Sequence, residues 1–304
     1  MNRRAFVRAA ALAPFALRAA PALARVGRPV ALVTCDAEAR LAVVDLASLR
    51  VTGHIATLPD PRAIETVGGV AVVCHTAVGA LSVVDRGGVR HVVHGVQEPR
   101  YVAAHPDGTH AFVTDSGRSG VVLLDVVRGR ILDRVPLPGW ARHITISADG
   151  RRLWAGLGSA SAHVAALTTS PLRRAGLLTP GFLAHDVGHA PDGRLWITSG
   201  ASRVLSVRGV DQPADLSPQH VTFGPERVFV TSGDSGTLHV HAPDGRLLAR
   251  RSVPNGSYNV QYAGGWLITP SLNRGTLAVF DGHGSPLGVV QVAGSCHDAC
   301  ILGG

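Results

Sequence analysis

An apolar run ending on aspartate returns again and again along this chain, and it constrains the fold more than any other feature. "RLAVVD" ends at Asp45, "ALSVVD" at Asp85 and "VVLLD" at Asp125, each 40 residues after the last. Related runs end at Leu167, Arg208, Ala242 and Asp281, which makes seven copies. A second run keeps step with the first: "ALVTC", "AVVCH", "AFVTD", "LWAGL", "LWITS", "VFVTS" and "WLITP". Turns such as "HPDGTH", "SADGRR", "APDGRL" and "GPERV" precede several of these, and Asp and Gly supply the backbone geometry a tight hairpin requires. A polar-alternating strand follows, as in "RGRILDRVPL". Each unit thus predicts four short strands in about 40 residues, the size of a propeller blade. A single four-stranded sheet cannot bury both of its faces, whereas seven arranged radially can. The expected fold class is all-β: one seven-bladed β-propeller. The unit from Arg208 to Ala242 is short, which predicts trimmed outer strands or loops.

Closure of the ring is also legible. The repeat opens directly on "PVALVTC" without an inner strand, and the chain ends on an orphan, "CHDACILGG", that matches "PRAIETVGG". The C-terminal strand should therefore complete the N-terminal blade and leave no free edge at the seam. A disulfide from Cys35 to Cys296 or Cys300 would staple that seam; a free thiol pair is the other option.

Residues 1–24 read as a signal peptide, leaving 25–304 for the propeller. The segment has a basic start, an apolar middle and a small-residue end, with Ala22-Leu23-Ala24 fitting an A-x-A cleavage site. Arg3-Arg4 followed by Ala5-Phe6-Val7-Arg8 resembles the twin-arginine export motif, which places the mature protein in the periplasm or outside the cell. No later segment is long and apolar enough to span a membrane. The net charge of +8 falls to +4 without the signal, and no basic run interleaved with aromatics is present, so nucleic acid is not an expected partner.

The four-strand unit, "FVTD", "FVTS" and the "PDG" turn resemble the YVTN family of bacterial extracytoplasmic propellers, the YncE-like proteins, over residues 29–304. That resemblance implies the fold; the family spans binding proteins, lactonases and domains of redox enzymes. "PQHVTFGPERVFVTSG" and "HDVGHAPDGRLWITSG" are also similar to streptogramin-lyase repeats, although Ser199 and Ser232 stand where that family often places Glu.

Aligning the units on their turns brings seven residue pairs into register: Arg62-Ala63, Arg100-Tyr101, Arg142-His143, His185-Asp186, Gln219-His220, Tyr258-Asn259 and His297-Asp298. Each pair enters the innermost strand of its blade, so the seven should ring one mouth of the central channel, with Ile144, Val187 and Val221 buried just beyond. Arg62, Arg100 and Arg142 form an anion-attracting arc. Tyr101, His143, His185, Asp186, His220, Tyr258, Asn259, His297 and Asp298 add the N and O groups that ligand binding, acid–base chemistry or metals use. A second row, Cys35, Asp36, Cys74, His75 and Asp115, is expected to open on the same side. A water-filled polar channel would explain the same residues without any ligand.

The expected role is a monomeric binding or interaction scaffold that takes a small anionic ligand or an extracytoplasmic protein at this mouth, without catalysis. One alternative is a lactonase-like hydrolase or a streptogramin-lyase-like enzyme with His143, His220, His185 or Asp186 as acid–base groups. Another is a metal-holding redox accessory, with a divalent metal on the same imidazoles. His91 and His94 are read as surface residues, His239 and His241 as a strand pair, and Trp154, Trp196 and Trp266 as inter-blade packing.

Overall fold

The computed structural model describes residues 28–303; the expected signal peptide lies outside the described residues. Among the described residues, 28 strands form seven four-stranded antiparallel sheets arranged as the blades of a propeller. Blade 1 runs Val30–Cys35, Arg40–Asp45 and Arg50–Ala56, with Ala299–Leu302 as its inner strand. Blades 2 and 3 begin at Pro61 and Pro99, and blades 4 to 7 take their inner strands from Ile144–Ile146, Val187–His189, Val221–Phe223 and Gln261–Ala263. No helix among the described residues is long and apolar enough to cross a membrane.

The seam closes as the orphan strand predicts. Val30 pairs with Leu302 and Val33 with Ala299, antiparallel. Thr34 locks the join: its N–H donates to the Asp298 carbonyl at 2.9 Å, and its hydroxyl accepts from the Asp298 N–H at 2.9 Å.

The apolar runs without alternation are the strands buried on both faces. Ala31, Val33 and Cys35 pack toward blade 7 against Ile268, Leu277 and Val279, while Leu32 points the other way, into Ile64, Ala71 and Val73 of blade 2. Side chains of a strand alternate between faces, so each middle strand serves two inter-blade cores. Burying each such Val, Leu or Ile is worth roughly 1.5–3 kcal/mol. Outer strands such as Arg50–Ala56 face a neighbour on one side only and alternate in exposure accordingly. The outer strand of blade 5, Val210–Pro213, has four residues against seven in Arg50–Ala56 and Gly88–His94, which is the trimming the short unit predicts.

The "PDG" turns work through the aspartate as well as the glycine. Asp107 Oδ1 accepts the N–H of Thr109 at 2.8 Å and of His110 at 3.0 Å, and Gly108 sits at φ +69°. Asp192 and Asp244 repeat the bond to Arg194 and Arg246. The carboxylate replaces a backbone partner in the turn, which is why the motif recurs.

Candidate functional site

The channel residues are set in place by a threonine from the "VTC", "VTD" and "ITS" runs. Thr114 accepts the N–H of Tyr101 at 3.0 Å in its own blade and donates to the Arg142 carbonyl in the next at 2.5 Å. Thr198 does the same between Asp186 (3.1 Å) and Gln219 (2.6 Å), and Thr34 between Asp298 (2.9 Å) and Arg62 (3.0 Å). Thr231 donates to the Tyr258 carbonyl. One hydroxyl thus fixes the inner strand of its own blade and the entry of the following one.

Two tiers result. Six of the seven second members of the pairs, Tyr101, His143, Asp186, His220, Asn259 and Asp298, line a cavity of about 200 Å³ on the axis, together with Glu65 and Gln261, while Ala63 packs in the core between blades 2 and 3. The first members stand at its rim. Arg62 pairs with Asp60 at 3.7 Å and Arg100 with Glu98 at 3.3 Å, while Arg142 donates to the Ser159 hydroxyl at 2.7 Å. Tyr258 turns away from the cavity and donates to Asp234 in a neighbouring loop at 2.9 Å. Val187 is buried as expected, but Ile144 and Val221 are only half-buried and form part of the cavity wall.

Three imidazoles from consecutive blades converge. The ring centroids of His143 lie 4.5 Å from those of His185 and 4.7 Å from those of His220, and Tyr101 stacks obliquely on His143 at 4.3 Å. His185 belongs to the first row yet reaches the cluster, because its Nδ1 donates to the Ser159 carbonyl at 2.8 Å and holds the ring inward. Gly200, at φ +63°, makes room: a Cβ there would stand 2.6 Å from the His185 Cβ. His220 Nδ1 sits 3.4 Å from Asp186 Oδ2, and its Nε2 is 3.4 Å from the Tyr101 hydroxyl.

Burial sets the protonation of this cluster. It pushes His185 down to about 4 and His143 well below its usual value, with charge on the neighbouring imidazoles and Arg142 adding to the effect. His297 is also held well below, by burial and then by Arg62. Burial raises Tyr101 to about 12, Glu65 to about 7 and Asp298 well above the usual carboxyl range. Near neutral pH His143, His185 and His297 are therefore uncharged, close to the guanidinium groups of the rim.

Sequence reasoning missed Trp140. Two rim arginines lie over its ring, with Arg100 Cζ 5.1 Å and Arg142 Cζ 5.6 Å from the centroid. The signal was present in "PGWARH", a tryptophan in a Pro-Gly turn two residues before Arg142. Trp154 and Trp196 do pack between strands, Trp154 stacked on His189 at 4.7 Å.

The second row does not reach the mouth. His75 is buried and bonded to the Pro59 carbonyl and Ser82; Asp115 accepts the N–H groups of Gln97 and Glu98; Cys74 lies in the core between blades 2 and 3. These positions end the second strand of the blade, one strand farther from the axis, so they organise loops. All four cysteines are free and buried, and Cys35 meets Cys296, whereas Cys300 faces the opposite core. His239 is satisfied by Asp215 at 2.7 Å, and His91 and His94 lie on the outer strand of blade 2. A larger cleft of about 750 Å³ lies beside the short strands of blade 5, lined by Leu178, Arg194 and Arg208 among others, away from the imidazoles.

No protein-family model matches the chain, and no curated protein matches it by sequence. Among solved structures it is similar to the hydrazine synthase of Kuenenia stuttgartiensis, with a TM-score of 0.68 and 15% identity over 81% of this chain and 90% of that one. At that identity the likeness speaks for the fold alone: this chain is an all-β seven-bladed propeller.

Proposed function

We propose that this chain is an exported, YncE-like propeller that binds a small anionic molecule at the axial mouth and does not turn it over. The observation that carries the reading is the placement of the Arg100 and Arg142 guanidinium groups over the Trp140 ring, beside the uncharged His143. Guanidinium groups stacked on an aromatic plate keep their N–H edges free to grip a carboxylate or phosphate. Arg62 extends the positive arc toward His297. Export through the twin-arginine route and cleavage after Ala24 belong to the same proposal.

Titration calorimetry of the mature protein against mono- and dicarboxylates and phosphate esters tests the binding reading. A ligand whose affinity drops at least tenfold in Arg100→Ala and in Arg142→Ala supports it; equal affinity in the double variant overturns it. Fractionation of cells expressing the full chain, with Arg3→Lys/Arg4→Lys beside the wild type, tests the route. Wild type in the cytoplasm, or unchanged export of the variant, refutes it.

A second reading has one specific observation behind it. Asp186, His220 and the Tyr101 hydroxyl stand in series at 3.4 Å steps, an arrangement that can orient a general base as in a hydrolase or lyase. Under that reading His220→Ala lowers turnover of a bound substrate by about 10²–10⁴-fold, whereas a binding scaffold loses affinity only.

A further inference from the structure

We propose that His143, His185 and His220 form a three-imidazole site for one transition-metal ion, Zn²⁺ or Cu²⁺, with its fourth position open to the axial cavity. The inference goes beyond the anion-binding reading and does not rest on it.

Geometry comes first. One ring nitrogen from each of the three residues lies within 4.8 Å of the other two. Three nitrogens about 2.0–2.1 Å from a tetrahedral ion stand roughly 3.3 Å apart, so small rotations about the side-chain torsions close the site. The residues come from blades 4, 5 and 6, and rigid sheets hold their backbones.

The hydrogen-bonding pattern is the second, independent observation. His143 is 1% exposed, and neither of its ring nitrogens has a partner. Leaving a buried polar group unmatched costs about 1–3 kcal/mol, and a metal ion would supply the missing partner. The two neighbouring rings are set up differently and consistently. His185 Nδ1 donates to the Ser159 carbonyl, which leaves its Nε2 lone pair for an ion; His220 Nδ1 stands 3.4 Å from the Asp186 carboxylate, and its Nε2 is 3.4 Å from the Tyr101 hydroxyl, a long contact that an ion would replace. Metal-bound histidines are held in this way by outer acceptors.

Donor chemistry selects the ion. The set is all imidazole, which suits Zn²⁺ and Cu²⁺ and not Mg²⁺ or Ca²⁺. Asp186 is occupied by the N–H groups of Val187 and Val221, so it orients His220 and does not ligate. Tyr101 covers one side of His143, and the cavity of about 200 Å³ lined by His143, His220 and Tyr101 leaves a place for water or an anionic group.

The test uses untagged mature protein, stripped with a chelator and titrated with Zn²⁺ and with Cu²⁺ by calorimetry and elemental analysis. One equivalent bound below micromolar Kd is expected, with loss of at least 100-fold in affinity in His143→Ala and His220→Ala. Asp186→Asn should keep the stoichiometry and weaken binding about 10–100-fold. His91→Ala, on the outer strand of blade 2, should bind as wild type. Electron paramagnetic resonance of the Cu²⁺ form reads the ligand set on the wild type itself, independently of how any variant folds, and three nitrogen ligands are expected. Failure of stripped wild type to bind one equivalent at micromolar metal, undiminished binding in His143→Ala, or a spectrum with one nitrogen or none overturns the site. Anion titration of the stripped protein is unaffected by any of these outcomes, so the two readings fail separately.

Discussion

The hydroxyl of Thr114 donates to the main-chain carbonyl of Arg142 on the next blade at 2.5 Å. It also accepts the Tyr101 N–H, so a single side chain sets the relative height of a rim arginine and the tyrosine that covers His143. Valine has the shape of threonine without the hydroxyl, and Thr114→Val would leave a carbonyl and an N–H unmatched. We expect a loss of about 1–3 kcal/mol in urea unfolding, and Thr114→Ser to recover most of it. Thr231 makes a like tie between blades 6 and 7, far from Thr114, so the double valine variant should be additive to within about 0.5 kcal/mol. A neutral Thr114→Val would refute the tie.

Asp186 and Asp298 occupy the same place in blades 5 and 1. One oxygen of each accepts the next N–H in its own strand (Val187, 2.7 Å; Ala299, 2.8 Å), and the other accepts an N–H of the following blade (Val221, 3.2 Å; Ile64, 3.1 Å). An amide cannot accept at both ends, so Asp→Asn leaves one backbone donor unmatched. Each variant should lower stability by about 1–3 kcal/mol. Asp298→Asn should cost less, because burial already drives that carboxyl toward its neutral form and no charge-assisted bond is lost. Urea midpoints at constant slope measure both; the opposite ranking would contradict the assignment.

The blade count, the short unit, the seam and the in-register pairs were legible in the sequence because they depend on periodicity, and a fixed period maps directly onto a ring. The division into two tiers was not. Whether His185 turns in and Tyr258 turns out depends on Ser159 and Asp234, which come from loops of preceding blades. Trp140 was illegible for a similar reason: its role appears only when Arg100, 40 residues earlier, arrives over its ring. The second row was misplaced because the end of a second strand and the start of a first strand share one side of the sheet but differ in distance from the axis.

Cys35 and Cys296 are the one cysteine pair in contact, and their thiols differ. The Cys296 S–H donates to Cys35, which lowers the Cys35 thiol against the effect of its burial and, together with burial, raises Cys296. Burial, with the nearby Asp298 carboxyl adding to it, pushes Cys74 and Cys300 far up. Mild oxidation should therefore join Cys35 to Cys296 and leave the other two reduced, as read by peptide mapping under non-reducing conditions. Closing so long a loop should stabilise the seam by roughly 2–4 kcal/mol. A Cys35–Cys300 bridge, or four reduced thiols after oxidation, would contradict this.

Glu65 gives the cavity a pH response of definite sign. Burial lifts its carboxyl from 4.5 to about 7, against the opposing bond from Gln261 Nε2 to its Oε2 at 3.0 Å. The folded state then holds the proton more tightly than the unfolded chain. Its contribution is complete below about pH 4.5 and is lost as pH rises through 7, with a slope of at most about 1.4 kcal/mol per pH unit. His75, His185 and His241, all pushed down to about 4 by burial, act in the opposite direction, since the unfolded chain binds their protons first between pH 4 and 6.5. The wild-type curve alone mixes the two effects, and subtraction separates them. Glu65→Gln stays neutral at every pH, keeps an oxygen for Gln261 and leaves the imidazoles in place. Its stability relative to wild type should therefore rise between pH 5 and pH 8, measured as paired urea midpoints. A difference that does not change with pH would mean that Glu65 ionises freely and that channel water, rather than the blade walls, sets its environment.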